Sequence, residues 1–277
     1  MTALGPRRSG WQTYDSVVDA YDEAAVPRFA APARELVVAI APRAGACVLD
    51  VGTGTGLAGQ IAREAIGPDG FVVGVDPSVP MLERAATRGV SVVAAVFPGL
   101  PFADGVFDAA IANLVLSHLG DYERGLADAV RVLRAGGRFG CTAWGAAVSA
   151  SDEHQGPQAD DIIESALVED DVDLTGPPTP AVPSEEPLRD RENLATALRT
   201  AGLADVDVQP RTYHWPYSVD EYLVGREWRP GIRYIRQQTD PRVWDKVHDR
   251  VAAKLRTHFG DEIRTMGHMW IAVGTKP

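Results

Sequence analysis

The sequence predicts an α/β fold organised around a mostly parallel sheet. Three observations carry that prediction. From about Glu35 to Trp144, short apolar runs alternate with longer amphipathic ones, the pattern of repeated strand–helix–strand units. A glycine-rich turn, "GTGTGLAG" from Gly52 to Gly59, follows the first apolar run directly. The chain ends on a further apolar run, "HMWIAVGTKP".

The elements follow in order. Strands are predicted at 47–51 ("CVLDV"), 71–76 ("FVVGVD"), 90–96 ("VSVVAAV"), 107–114 ("FDAAIANL") and 138–145 ("RFGCTAWG"). Nearly continuous, β-branched apolar runs of this length suit strands buried on both faces. Helices fit between them at 56–66, 79–88 and 121–134, with "GPDG" (67–70) and "RAGG" (134–137) as stops. From Ala146 to about Arg189 the periodicity fails. The acidic "EDDVD" (169–173) leads into the turn-rich "GPPTPAVPSEEP" (176–187), so this insert is expected to act as a mobile cap without regular packing. A helix at 190–201, a strand at 205–215, helices at 218–238 and 241–258 and the closing strand complete the chain. A single domain over 1–277 is expected, its core at 35–145, 195–215 and 262–277, its cap or lid at 1–34 and 146–260.

Composition narrows the function. With 277 residues, 45% of them hydrophobic, the chain can bury a substantial core. No 18 apolar residues run together, and "MTALGPRRSGWQTYD" has no signal-like stretch, so a cytoplasmic protein with no membrane segment is expected. Cys47 and Cys141 both lie in apolar runs and read as buried thiols rather than a disulfide. The formal net charge of −11 is concentrated: thirteen acids and two arginines lie between Asp152 and Glu192, and the remainder balances. A nucleic-acid partner needs clustered Lys and Arg, which this distribution does not offer, so a small molecule is the expected partner. On electrostatics alone the acidic insert favours a cationic acceptor. Monomer and homodimer both remain open.

Two kinds of cofactor use a turn like this one. Gly54-x-Gly56-x-x-Gly59, between a strand and a helix with Asp76 downstream, satisfies the dinucleotide fingerprint. Asp50 points the other way. A pyrophosphate at a helix N-terminus wants bare N–H groups and positive potential, not a carboxylate two residues before the turn. S-adenosylmethionine carries an ammonium and a sulfonium and no phosphate, so that carboxylate suits it. No tyrosine (14, 21, 122, 213, 217, 222, 234) has lysine four residues on, the pairing that short-chain dehydrogenases use.

"VLDVGTGTG" (48–56), "VVGVDPSVPMLERA" (72–85), "LPFADGVFDAAIANLVLSHLGD" (100–121) and "VRVLRAGGRF" (130–139) resemble, in order and spacing, class I S-adenosylmethionine-dependent methyltransferases. The resemblance is to the ubiquinone/menaquinone-type and natural-product enzymes, and the terminal "MWIAVGTKP" resembles their closing antiparallel strand. It is close from Trp11 to Trp144 and looser beyond. It implies a Rossmann-like seven-stranded sheet, mostly parallel with an antiparallel last strand, helices on both faces and a helical cap. It also implies S-adenosyl-L-methionine as cofactor, S-adenosyl-L-homocysteine as product, and methylation of a small molecule at O, N or C. The implied cofactor residues are Tyr21, Asp50, Gly52, Thr53, Gly54, Gly56, Asp76, Pro77, Met81, Phe97 and Asn113. Asp50 would hold the methionine moiety directly or through water, and the glycines would let the backbone approach. Asp76 would accept both ribose hydroxyls, Met81 and Phe97 would flank the adenine, and Asn113 would offer its backbone. One position departs: relatives carry Asp in a "GDA"-like step before "LPF", where "AVFPG" here has Val96.

Methyl transfer is a displacement at carbon, so a protein mainly aligns the partners and excludes water, and needs a base only where the acceptor must lose a proton. His118 is the candidate for that base, with a structural or substrate-lining role as the alternative. Candidates for the acceptor pocket are Tyr14, His118, Trp144, His154, His214 and Trp215, and for the last three a surface or core position is the alternative. Tyr14 and Tyr21 lie seven apart and would share one helical face, as a lid over the cofactor or as simple packing. Asp160, Asp161 and Glu164 would share a helical flank. Mg²⁺ binding and a solvated face both fit that spacing, and no metal is assigned. The reading is a small-molecule methyltransferase of secondary metabolism. Its rivals are an enzyme of the same fold that uses the cofactor structurally, as in a cyclisation, then a cofactor-sensing protein, then a dehydrogenase.

Overall fold

In a computed structural model of the chain, the described residues are 14–146, 151, 153–175, 184–227 and 230–277. The N-terminal 1–13 and the turn-rich 176–183 lie outside them. The first part alternates as expected: α1 (Val18–Ile40), β1 (Cys47–Val51), α2 (Leu57–Ile66), β2 (Phe71–Asp76), α3 (Val79–Thr87), β3 (Ser91–Ala94), β4 (Phe107–Asn113), α4 (Tyr122–Val132) and β5 (Leu133–Trp144). After it come α5 (Gly156–Glu169), α6 (Glu185–Leu188), α7 (Arg191–Thr200), β6 (Ala204–Ser218), α8 (Val219–Glu227), α9 (Pro230–Gln238), α10 (Pro241–Phe259) and β7 (Glu262–Thr275).

The seven strands form one Rossmann-like sheet in the order β3-β2-β1-β4-β5-β7-β6. β1 to β5 run parallel, and β7 is antiparallel to both β5 and β6. The strand order reverses between β1 and β4, which opens a crevice at their carboxyl ends. One face buries Phe107, Leu126, Phe139, Leu194 and Leu198; the other packs Leu36, Ile40, Ile61 and Ile66 on Val48, Val72 and Ile111. Side-chain caps set where helices begin: Asp121 accepts from the Arg124 N–H at 2.9 Å and Asp190 from the Asn193 N–H at 2.8 Å. Among the described residues no helix is long and apolar enough to cross a membrane. Both cysteines are free thiols; burial pushes Cys141 up to about 12, while Cys47 is only half-buried.

The region 146–189 departs from expectation. Part of it is the fourteen-residue α5, whose Ala159, Ile163, Ala166 and Leu167 pack with Tyr222, Trp244, Val247 and Leu255 from α8 and α10 in a cluster of their own. That apolar stripe has helical spacing, but two of its positions are alanine and its outer face is acidic, which hid the period. Ser184, just before α6, donates through its N–H to the Ser117 carbonyl at 3.0 Å and so ties the insert to the short turn of helix that follows β4. The helix expected at 218–238 is two helices, the second starting on Pro230, a residue with no N–H to continue a helix from before it. Residues 228–229 of that expected helix lie outside the described set. β6 continues past 215 to Ser218, because Pro216 sits on the edge strand, where a missing ladder donor is tolerated. The β6–β7 hairpin therefore outruns β5: β5 pairing stops at Trp144↔Met269, whereas the hairpin pairs on to Ser218↔Glu262 and carries the α5–α8–α10 cluster at its tip.

Candidate active site

The glycine turn leaves β1 at the crevice and is pinned by backbone bonds. Thr53 N–H donates to the Val75 carbonyl (2.9 Å), Gly56 N–H to the Thr53 carbonyl (2.8 Å), and Gly54 N–H to Asp76 Oδ2 (3.0 Å). Asp50 is enclosed within the turn. It is 1% exposed and lies outside the cavity wall, accepting from Thr53 Oγ1 at 2.6 Å and from the Gly59 N–H. A Cβ on Gly59 would lie 2.9 Å from Asp50 Oδ2, so the last glycine makes room for this carboxyl. Asp50 thus braces the turn from within.

Burial, opposed by those two hydrogen bonds, pushes Asp50 up to about 7. A carboxyl raised in the folded state keeps a proton that the unfolded chain releases, so its contribution to stability falls as pH rises from about 4 through about 7. Between pH 5 and pH 8 the wild type should lose up to about 2–3 kcal/mol relative to Asp50→Asn. Urea unfolding at the two pH values measures this, and parallel curves would refute it.

Asp76 closes β2 and accepts from the Gly54 N–H and, through Oδ1 at 2.9 Å, from the Ser78 N–H. Burial holds its carboxyl above the usual range against both bonds. A strap of chain lies beside it, with Ser78 Oγ donating to Asp15 Oδ1 at 2.7 Å. Tyr14 is in a short 3₁₀ turn and α1 starts at Val18, so Tyr14 and Tyr21 do not share a helix face; tertiary packing brings their rings edge-on at 5.8 Å instead. Tyr14 also meets His118 edge-on at 5.9 Å, and the Arg233 guanidinium lies over it at 5.5 Å. Burial raises both phenols. Ion pairs hold α1 to α3: Arg88 grips Asp22 with contacts of 2.8 and 2.9 Å, and Arg84 reaches Asp22 at 2.7 Å as well as Asp19.

These elements border a cavity of about 1380 Å³. That exceeds the roughly 300–1,000 Å³ typical of a site for one small molecule. Gly52, Gly54, Asp76, Pro77, Met81, Phe97 and Asn113 line part of it, together with Tyr14, Tyr21 and His118. Asn113 Oδ1 accepts from Thr142 Oγ1 at 2.8 Å, which holds its side chain against β5. Val96 lines the wall, 56% exposed, and its side chain offers no hydrogen-bond acceptor there. Trp144, His154, Trp215, Tyr217 and Arg28 line another part. His154 Nδ1 accepts from the Met266 N–H at 3.0 Å, which assigns the proton of the neutral ring to Nε2, and burial keeps the ring neutral.

Four expected site residues are not on this wall. Asp50 and Thr53 bond each other inside the turn, and Gly56 is packed against Ala85. His214 is exposed, since alternation along β6 turns Trp215 and Tyr217 to the cavity and His214 away. Asp160 does not form a metal site with Asp161 and Glu164: it accepts from Arg226 Nε and from the Tyr222 hydroxyl (2.9 Å), and the other two are exposed. Sequence reasoning missed Tyr217, which the Trp215-x-Tyr217 alternation could have signalled, and Arg28, which no local pattern marks.

The profile of a family described as "Methyltransferase domain" matches residues 49–141. Nocamycin O-methyltransferase from Saccharothrix syringae is 30% identical over 237 residues, covering 82% of this chain and 84% of that enzyme. The chain belongs to the class I S-adenosylmethionine-dependent methyltransferases. This methyltransferase is also 39% identical over 98 residues to demethylmenaquinone methyltransferase from Corynebacterium kroppenstedtii, covering 35% of this chain and 42% of that one. The solved structure of the [4+2]-cyclase SpnF matches the methyltransferase with a TM-score of 0.53 at 20% identity, covering 98% of this chain and 99% of that chain, a likeness of fold alone.

Proposed function

We propose that the protein binds S-adenosylmethionine along Gly52, Gly54, Asp76, Met81 and Phe97 and transfers its methyl group to an oxygen of a small organic acceptor. The observation that carries this reading is a large cavity bordered both by the glycine turn and by the aromatic wall of Trp144, Trp215 and Tyr217. The residues fit the cofactor's chemistry. A Cβ placed on Gly54 would meet nothing within 4 Å, which leaves open space over the turn. Each Asp76 oxygen accepts one N–H and keeps a lone pair for a ribose hydroxyl. Oxygen as the methylated atom follows the O-methyltransferase relative, and with it a role in secondary metabolism.

The bound cofactor supplies an activated methyl on a good leaving group. The chain's own residues hold and align. Arg84 and Arg88 keep α1 against α3 beside the cavity, and the aromatic wall excludes water from the reacting atoms. Tyr14 and Tyr21, their phenols raised by burial, remain protonated at neutral pH and act as donors, not bases. His118, between the strap and the end of β4, is the group placed to take a proton from an acceptor hydroxyl.

Calorimetric titration with S-adenosylmethionine, S-adenosylhomocysteine and NAD tests the reading. Micromolar binding of the first two and none of NAD is expected. Binding of NAD alone would overturn it. Tight binding of S-adenosylmethionine that never yields S-adenosylhomocysteine during turnover would favour the non-methylating use of the same fold.

A further inference from the structure

We infer that the acceptor carries an anionic oxygen group, a carboxylate or an ionised enol, anchored by the Arg28 guanidinium. The inference rests on the proposed function and names the chemistry of its acceptor. Arg28 projects from α1 to the cavity wall, its guanidinium 4.6 Å from the Trp215 ring, 5.2 Å from Trp144 and 5.7 Å from Phe29. The Trp215 Nε1–H donates to the Arg28 carbonyl at 3.1 Å, which fixes the ring against the arginine's own backbone. Among the described residues no carboxylate lies within ion-pair distance of Arg28, and its Nε is buried with no hydrogen-bond partner.

Three acids along this wall are paired with arginines, Asp76 and Glu221 accept only from N–H and hydroxyl groups, and Glu23 is exposed. Asp160 is held by Arg226, Glu185 by Arg189, and Asp220 by Arg256. The insert's acids on the wall, Asp160 and Glu185, are thus paired and add little unbalanced negative charge there. Arg28 is the cation on this wall with no carboxylate partner among the described residues. Aromatic faces recover part of its hydration, on the order of 0.5–2 kcal/mol, but they accept no N–H geometry from a guanidinium fork. Burial lowers Arg28 from its usual pKa without removing its charge. A buried donor lacking its acceptor destabilises a protein, and an oxyanion bonded to that fork supplies the acceptor and the counter-charge together. Trp144, Trp215 and Tyr217 beside it suit a flat apolar body attached to the anionic group.

The test uses the full chain saturated with S-adenosylhomocysteine and three probes, benzoate, phenylacetate and 1-naphthoate, each against its uncharged carboxamide. At least one acid should bind the wild type tenfold or more tighter than its amide. Arg28→Met should reduce that preference below threefold, Arg28→Lys should keep part of it, and the affinity for S-adenosylhomocysteine should not change. Arg28→Gln replaces the methionine variant if thermal melting shows that variant unfolded. Acids that bind no better than their amides, or a preference that survives in Arg28→Met, would overturn the anchor. Titration of S-adenosylhomocysteine alone keeps the two readings apart: its failure to bind overturns the cofactor placement, while probe preferences in unloaded protein still report on Arg28.

Discussion

Asp76→Ala should weaken binding of both S-adenosylmethionine and S-adenosylhomocysteine by more than tenfold, a loss above about 1.4 kcal/mol. Two effects act in the same direction. The carboxylate oxygens left for ribose hydroxyls disappear, and hydrogen bonds to a charged acceptor contribute roughly 1.5–3 kcal/mol. The Gly54 and Ser78 N–H groups also lose their acceptor, so the turn itself is held less firmly. Asp76→Asn retains one carbonyl oxygen and should fall between alanine and the wild type. Calorimetry on folded protein, with melting temperature followed in parallel, separates the contributions. An unchanged affinity would mean that the turn holds another ligand or none.

The second large effect lies within the turn. Gly56→Ala should destabilise the fold by about 2–5 kcal/mol, the sum of left-handed backbone strain and overpacking. At φ +86° an added Cβ would lie 2.8 Å from the Cα of Ala85 and 2.9 Å from its Cβ, atoms of α3 that no rotamer change can move. Gly54→Ala is the contrast. Its φ of +53° carries strain, but nothing lies within 4 Å of the new Cβ, so about 1–2 kcal/mol of stability should be lost. Because Gly54 borders the cavity, that variant should lose cofactor affinity beyond its loss of stability. Urea unfolding of both variants gives the order. If Gly54→Ala proves the more destabilised, the assignment of Gly56 to packing and Gly54 to the ligand is wrong.

Legibility in the sequence tracked distance along the chain. The strand ends that place Gly52, Gly54 and Asp76 were readable because strand alternation, glycine turns and helix caps involve near neighbours. α5 was harder: its stripe of Ala159, Ile163, Ala166 and Leu167 is local, yet small and set in acidic residues, so its burial shows only against α8 and α10. β6 shows the same limit. Pro216 reads as a strand end until the strand proves to be the sheet edge.

The chain by itself determined the alternating core and the glycine turn, since each is written in spacings of a few residues, and the resemblance that its motifs carry implied the family and the antiparallel close of the sheet. Only the tertiary structure decided which charged groups border the cavity. Asp50 and Asp76 both sit at strand ends beside the turn, yet one is enclosed by Thr53 and Gly59 while the other borders the cavity. Arg28 gains its place from Trp144 and Trp215, more than a hundred residues away in sequence. The physical reason is that the fate of a charge, whether solvated, paired or left waiting for a partner, depends on the groups that packing brings around it, and no local spacing encodes those.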